Sequence, residues 1–303
     1  MNHKLNCALI GRGYWGKILE RYLVRSEYFN LRYIYDPALI NGISMEKILE
    51  DVEIDAAFVS TPIDTHFDIV KELLNHGKHV FCEKPMTKTL KSAQELAALA
   101  VDKGLCLYTD YIYTVSPSIN YLRERICRMG KILSIDGEIR QFGSFYINDS
   151  VEAVLGVHLI SAILYLLDVR KNIEVNKVRS FRSNAGNALD MEMELSCEKV
   201  PTIKLSCDLV SEIRSRKLNI KGERGNLYFD MLGEYTARQV LVERKNPGYI
   251  ITENEGVKFD EGNNLQIILG KFYQEIENKS NGNLELSLMV TDIIEHAGFV
   301  IHR

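Results

Sequence analysis

The stretch Leu5-Asn6-Cys7-Ala8-Leu9-Ile10-Gly11-Arg12-Gly13-Tyr14-Trp15-Gly16 joins a short apolar run to a glycine-rich turn, and a helical pattern follows it. This order predicts a β-strand, a tight turn and an α-helix. Gly11 permits the sharp turn, Gly13 lets a ligand approach the backbone, and Gly16 lets the helix pack close to the strand. The free N–H groups of the helix N-terminus then offer an anion-binding site.

An acidic residue stands at the distance that this pattern requires. Asp36 ends the run Leu31–Tyr35, about 20 residues past the last glycine, where a dinucleotide-binding unit places the acid that accepts ribose hydroxyls. Pro37 follows it, where a 2′-phosphate would need an arginine. We therefore expect NAD as the cofactor. The loop residues expected to contact it are Gly11, Arg12, Gly13, Tyr14, Trp15 and Gly16.

Length and composition are those of a globular chain with about two domains. The 303 residues are 46% hydrophobic and 26% charged, and the net charge of −4 comes without a basic run. We therefore expect no nucleic-acid partner and no membrane span. The six cysteines form no C-x-x-C pair, and the N-terminus does not read as a signal peptide. Both features are typical of a cytoplasmic protein with buried thiols.

Strands and helices alternate with short loops through the first part of the chain. This pattern predicts a doubly wound parallel sheet, a Rossmann domain in an α/β fold, over residues 1–115. Ligands of such sheets bind at the carboxyl ends of the strands. The segments expected there, besides the glycine loop and Asp36, are Ser60-Thr61-Pro62, Glu83-Lys84-Pro85 and Asp110–Tyr113.

The pattern changes near Ser116, which places a second domain at residues 116–303. A helix, the long strand Ile132–Phe142 and a helix over Ser150–Leu167 come first. Six further strands follow between residues 174 and 243, and two helices end the chain. We expect an α+β substrate-binding and oligomerisation domain with a mostly antiparallel sheet.

Together these residues resemble the Gfo/Idh/MocA family of nicotinamide-dependent oxidoreductases. The most specific landmark is Gly77-Lys78-His79-Val80-Phe81-Cys82-Glu83-Lys84-Pro85. The glycine loop, Asp36, Ser60-Thr61-Pro62 with His66, and Gly156-Val157-His158 add to it. The Gly-Tyr-Trp-Gly form of the loop is similar to the branch that handles nucleotide-linked sugars. The motifs cover about Leu5–Leu167.

The resemblance implies a role for each landmark. Lys84 would bridge cofactor and substrate, and His158 would be the second catalytic residue. Cofactor contacts are implied for Ser60, Thr61, Pro62, His66, Glu83, Lys84 and Pro85. Two of these contacts have an equal alternative, because Pro62 could merely stiffen a turn and His66 could merely pack beneath the site.

The chain departs from the family near His158. The family commonly has an Asp four residues before this His, on the same helix face, but this chain has Val154; the acid common three residues after it is Ser161. An Arg or Asn that is frequent in the family before Pro117 is also absent. The residues that could replace the missing groups as substrate contacts are Tyr111, Tyr113, Tyr146 and Asp149. Equally, the three tyrosines could be packing aromatics and Asp149 a helix-start residue.

Three functions remain open from the sequence. The first is an NAD-dependent dehydrogenase or reductase that acts on a secondary alcohol or ketone of a sugar or nucleotide sugar. The second is a non-catalytic NAD-binding or regulatory protein that lost the proton relay. The third is an NAD-assisted glycosidase, in which the oxidation is transient. No metal is implied, and a homodimer or homotetramer is expected.

Overall fold

The computed structural model describes residues 3–39, 42–143, 149–182, 188–245 and 248–301. The chain forms two compact units. The first contains the chain up to Asp110 together with Asn263–Thr291, and the second contains Tyr111–Gly262 with the residues from Asp292 onward. The division into domains at residues 115 and 116 stays a prediction.

The strands and helices follow one another in an order that begins as alternating β and α. The strands are β1 (Leu5–Ile10), β2 (Phe29–Tyr35), β3 (Ala56–Val59), β4 (His79–Cys82), β5 (Leu107–Thr109), β6 (Ile132–Phe142), β7 (Glu174–Arg182), β8 (Ala188–Cys197), β9 (Val200–Asp208), β10 (Val210–Gly222), β11 (Gly225–Asp230), β12 (Ala237–Lys245) and β13 (Gly248–Val257). The helices are α1 (Tyr14–Val24), α2 (Met45–Glu50), α3 (His66–Asn75), α4 (Leu90–Asp102), α5 (Pro117–Arg125), α6 (Val157–Leu167), α7 (Asn264–Glu277) and α8 (Leu284–Ile301).

The first unit is built on a five-stranded parallel sheet with the order β2-β1-β3-β4-β5. The central strand β3 is apolar and buried along its whole length because both faces of the sheet are covered there. On one face Phe272 of α7 packs against Phe58 with 5.6 Å between ring centroids, and Phe58 packs against Phe29 at 5.0 Å. On the other face Ala57 and Val80 share a core with α3 and α4. The predicted Rossmann fold is confirmed.

The order of strands locates the ligand edge of this sheet. In this sheet β2 lies on one side of β1 and β3 lies on the other. The direction in which successive strands are added therefore reverses at β1. Such a switch point leaves a crevice at the carboxyl ends of the strands, where open α/β sheets bind their ligands. Gly11 and Ser60 follow the two strands that flank this crevice.

The second unit is built on an eight-stranded sheet with the order β13-β12-β11-β10-β6-β9-β8-β7. Among the described residues of this sheet only β6 and β9 pair in parallel, so the predicted, mostly antiparallel sheet is confirmed. Along β6, Ile135, Gly137 and Ile139 face the core. A Cβ at Gly137 would lie 3.4 Å from Leu159 of α6, because that helix packs on this face.

Three details differ from the sequence-based expectations. Residues Glu152–Gly156 form a π-helical turn, so the predicted helix Ser150–Leu167 is α-helical only from Val157 onward. Strand β13 was not predicted. Cys127 is exposed and Cys197 half-buried, whereas the other four cysteines are buried as expected. Among the described residues no helix combines the length and apolar composition that crossing a membrane requires.

Candidate functional site

The glycine loop packs as tightly as its sequence implies. Gly11 has a φ of +93°, and a Cβ on it would lie 2.5 Å from the Ser60 carbonyl oxygen. A Cβ on Gly16 would lie 2.1 Å from the Gly11 carbonyl oxygen. Gly13 differs, because its Cβ position has no atom within 4 Å. The close packing of the loop therefore requires glycine at positions 11 and 16, whereas Gly13 leaves the space above the loop open.

The N-terminus of α1 is prepared for an anion. Gly13 is the N-cap and provides no side-chain cap, and the first turn of the helix carries no acidic residue. The N–H groups of this turn and the helix dipole therefore face the open space without competition from an acidic side chain of the same turn. Tyr14 and Trp15 are exposed beside it. This arrangement fits the diphosphate of a dinucleotide.

Asp36 is fixed beside the loop by the backbone. Its Oδ2 accepts the N–H of Arg12 at 2.6 Å and its Oδ1 accepts the N–H of Ala38 at 2.9 Å. These hydrogen bonds hold the pKa of the Asp36 carboxyl below its usual value, so the group is ionised at neutral pH. The Arg12 side chain turns away to Glu20, with Nε 2.7 Å from Oε2. Asp36 keeps acceptor capacity for ribose hydroxyls.

His66 connects two of the predicted loops. Its Nε2 lies 2.9 Å from the Thr61 carbonyl oxygen and its Nδ1 lies 3.1 Å from the Pro85 carbonyl oxygen. The side chain is 1% exposed. One ring therefore fixes the loop after β3 against the loop after β4. A direct contact of His66 or of Pro62 with the cofactor stays a prediction.

A buried pair of carboxyl groups lies next to Lys84. Glu83 follows β4 and Asp110 follows the neighbouring β5, and their side chains hydrogen-bond to each other. Burial raises the pKa of Asp110 well above its usual value, and the charge of Glu83 raises it further, whereas Lys84 lowers it. Burial also raises the pKa of Glu83, against the effect of Lys84. We therefore expect the two carboxyl groups to share a proton.

We expect Asp110→Asn to stabilise the protein increasingly as the pH rises. A carboxyl with a raised pKa in the folded state contributes stability that is complete below its unfolded pKa and is lost as the pH passes the folded pKa. The neutral amide avoids that loss. A tenfold difference in proton affinity between the folded and unfolded states corresponds to about 1.4 kcal/mol, or about 2–4 °C in Tm. Tm of the cofactor-free protein from about pH 5 to about pH 8 measures this.

The control for that experiment is Asp102→Asn, which changes an exposed carboxyl at the end of α4. Its Tm difference from the wild type should not vary with pH. If the Asp110→Asn difference is equally flat, Asp110 does not hold a proton in the folded protein.

In the second unit, His158 lies beside Tyr113 with 5.4 Å between ring centroids. The Ser161 hydroxyl donates to the His158 carbonyl oxygen at 3.2 Å, so this side chain hydrogen-bonds to the backbone of α6. Val154 lies in the π-helical turn, where the expected four-residue spacing to His158 no longer defines one helix face. Glu152 is buried close to Cys207, and its charge adds to the effect of burial in raising the pKa of that thiol.

The proposed substrate contacts differ in their placement. Tyr113 is buried beside His158, and Arg216 donates from Nη1 to its hydroxyl oxygen at 3.1 Å. Tyr111 is fully buried and Asp149 is half-buried. Tyr146 lies outside the described residues. A contact of any of these with substrate stays a prediction, as does the expectation that Gly11, Asp36, Thr61, Lys84 and His158 form one site.

The sequence analysis placed Asp110 at the ligand edge of the sheet without giving it a role, and it did not include Arg216 among the expected site residues. The position of Asp110 directly after β5 was a usable signal, because the neighbouring strand end carries Glu83 and Lys84. Arg216 gave no signal, because its neighbourhood depends on the register of β10 with β6. In the described part of the chain no three His, Cys, Asp or Glu side chains are grouped to hold a metal ion.

Comparison with known proteins agrees with this geometry. Residues 5–111 match the GFO_IDH_MocA family model, an oxidoreductase family with an NAD-binding Rossmann fold. The uncharacterized oxidoreductase YhhX of Escherichia coli is 26% identical over 287 residues, which cover 84% of this chain and 79% of that protein.

Two solved structures share the fold over almost the whole chain. KijD10, a 3-ketoreductase from Actinomadura kijaniata solved with NADP and TDP-benzene, has a TM-score of 0.83 at 16% identity and covers 99% of this chain and 98% of its own. The UDP-N-acetylglucosamine 3-dehydrogenase GnnA from Acidithiobacillus ferrooxidans has a TM-score of 0.81 at 18% identity. This match covers 99% of this chain and 98% of GnnA.

The family match and the Rossmann loop define the class of protein: it is an NAD(P)-dependent oxidoreductase. Within that class, residues 5–111 match the Gfo/Idh/MocA family model, and most of the chain is similar to the Escherichia coli oxidoreductase YhhX.

Proposed function

We propose that this oxidoreductase uses NAD to oxidise a secondary alcohol, or to reduce the corresponding ketone, of a sugar or nucleotide sugar. The observation that carries the proposal is the strand-end cluster of Lys84 with the carboxyl pair Glu83 and Asp110, at the sheet edge where Rossmann domains bind their ligands. KijD10 and GnnA, whose names refer to a 3-ketoreductase and to a UDP-sugar 3-dehydrogenase, support the substrate class.

Each part of the chain has a task in this reaction. The first turn of α1 binds the diphosphate and Asp36 accepts the ribose hydroxyls. The nicotinamide, when bound, supplies the hydride chemistry. Lys84 and His158 hold and move the proton of the substrate hydroxyl, and His158 is the group that exchanges it, because an imidazole titrates near neutral pH.

The choice of NAD is supported by Asp36, whose ionised carboxylate repels a 2′-phosphate. We expect NADH to bind more tightly than NADPH, and Asp36→Ala to weaken NADH binding by about 1–3 kcal/mol, because two hydroxyls lose their acceptor. NADPH binding should not weaken. Titration of both cofactors by fluorescence measures this.

The matched control is Glu53→Ala, which removes an exposed acid before β3, at the opposite edge of the sheet. It should leave both affinities unchanged. Equal affinities of the native protein for NADH and NADPH would contradict the cofactor assignment.

A second candidate function is favoured by Val154 and Ser161, which stand at the two positions where the family resemblance leads one to expect acids. In that case the chain is a non-catalytic NAD-binding or regulatory protein. NADH oxidation with a panel of keto-sugars and nucleotide keto-sugars separates the two functions. An NAD-assisted glycosidase would instead cleave its substrate without net NADH formation.

The outer face of the second unit's sheet supports the proposal of a homodimer or homotetramer. Acidic and basic side chains alternate from strand to strand, since the register places Lys177 opposite Glu194, Glu194 opposite Lys204, and Lys204 opposite Asp136. Alternating charges of this kind allow a face to meet a second copy of itself. A cavity of about 1030 Å³ lies on this face, and no candidate site residue lines it.

A further inference from the structure

Arg216 is a half-buried arginine that hydrogen-bonds to Tyr113, the neighbour of the proposed catalytic histidine. It lies on β10 and shares a sheet face with the buried Leu218 and Ile220. Its Nη1 donates to the Tyr113 hydroxyl oxygen at 3.1 Å and its Nη2 donates to Gln141 Oε1 at 3.0 Å. The guanidinium is therefore held in one orientation by two neutral oxygens.

The charge of Arg216 is not balanced by an acid. No carboxylate of the described residues lies within 4.0 Å of its guanidinium, whereas Arg12, Arg128 and Arg140 each have a glutamate within that distance. Removing a cation from water without a counter-charge is costly. An arginine kept in this state is typical of a site whose anion arrives with a ligand.

The position of this charge relates it to the reacting group. Tyr113 connects the two, because its hydroxyl accepts from Arg216 and its ring lies 5.4 Å from that of His158. The same hydroxyl lies 3.7 Å from the Met231 sulfur. Tyr113 is 3% exposed, so Arg216 and His158 are connected through a buried ring.

We propose that Arg216, oriented by Gln141 and Tyr113, binds an anionic oxygen group of the substrate close to the carbon that reacts at His158. The guanidinium matches carboxylate and phosphate alike, since both present paired oxygens to its planar fork. This inference rests on the proposed function for the location of the substrate. It adds that the substrate is a sugar acid or a phosphate-linked sugar, and that a neutral sugar binds weakly.

Binding of matched ligand pairs to the full-length protein, measured by calorimetry with saturating NADH, tests the subsite. The pairs are glucuronate with glucose, and uridine diphosphate with uridine. In the wild type the charged member of at least one pair should bind at least about tenfold more tightly. The first pair identifies a carboxylate and the second identifies a phosphate.

Variants at two positions locate the effect. Arg216→Gln should abolish the preference for the charged member, and Arg216→Lys should keep part of it. Gln141→Glu should also abolish the preference, because a carboxylate of nearly the same shape as the amide then forms an ion pair with the guanidinium. Gln141→Glu keeps the test decisive if Arg216→Gln fails to fold. The control is Arg214→Gln, an exposed arginine of the same strand, which should bind as the wild type does.

The outcomes separate the subsite from the proposed reaction. A wild type with no preference for charged ligands, or a folded Arg216→Gln that keeps the preference, overturns the subsite. Loss of the preference in Arg216→Gln supports it even if no substrate is turned over, because only binding is measured. Turnover of a charged keto-sugar by Arg216→Gln with the efficiency of the wild type would leave the redox function intact and remove the subsite.

Discussion

Lys84→Ala should lower kcat by about 10²- to 10⁴-fold, which is the usual contribution of a positioned acid–base group. Lys84 follows β4 beside the carboxyl pair of Glu83 and Asp110, whose pKa values its charge lowers. The alanine variant removes both the cation and a proton donor from this cluster. NADH affinity should survive, because the glycine loop and Asp36 are unchanged.

A comparison of variants shows what Lys84 contributes. Lys84→Arg keeps the positive charge but cannot release a proton, so a kcat as low as that of Lys84→Ala would indicate proton transfer. Recovery of most of the activity would indicate an electrostatic role. Lys91→Ala, at an exposed lysine of α4, is the control and should leave kcat unchanged.

His158→Ala should cost a similar factor, since His158 is the proposed exchanger of the substrate proton. If Lys84 and His158 form one relay, the double variant should lose little more than either single variant, because groups that act together are not additive. A confirmed activity that neither alanine change reduces would contradict the mechanism. Val154→Asp tests whether activity is limited by the missing acid, although Val154 lies in the π-helical turn.

Much of the first unit could be predicted because its signals are local. The parallel strands are short and mostly apolar, and Gly11, Asp36 and Glu83 each stand directly after one of them. Because the carboxyl ends of parallel strands lie at one edge of the sheet, these residues can be placed there without knowledge of the side-chain packing. The hydrogen bonds from Arg12 and Ala38 that fix Asp36 depend on the folded loop and had no separate signal.

The second unit was harder to predict because its signals are not local. Strand β13 is an edge strand that is exposed along most of its length, so no alternation of apolar and polar residues marks it. The π-helical turn before α6 leaves the helical apolar pattern almost unchanged while it rotates Glu152 and Val154. The position of Arg216 next to Tyr113 depends on pairing across 103 residues of chain.

Gly16→Ala should both destabilise the first unit and abolish tight NADH binding. The new Cβ would lie 2.1 Å from the Gly11 carbonyl oxygen, and this backbone atom cannot move aside as a flexible side chain can. Overpacking of this kind costs about 1–3 kcal/mol or more, and it moves α1 away from the position that presents its N–H groups. The measured Tm and the NADH affinity from titration should both be lower than in the wild type.

Gly13→Ala provides the matched comparison, because its Cβ meets no atom within 4 Å of the folded protein. This variant should keep its free energy of unfolding within about 1 kcal/mol of the wild-type value, the size of an altered N-cap. It should nevertheless weaken NADH binding at least about tenfold, which is about 1.4 kcal/mol, because the methyl group occupies the space that the diphosphate needs. Unchanged NADH affinity in Gly13→Ala would show that the diphosphate does not bind above this glycine. A Gly16→Ala protein with the wild-type Tm would show that the loop can shift to accommodate the methyl group without loss of stability.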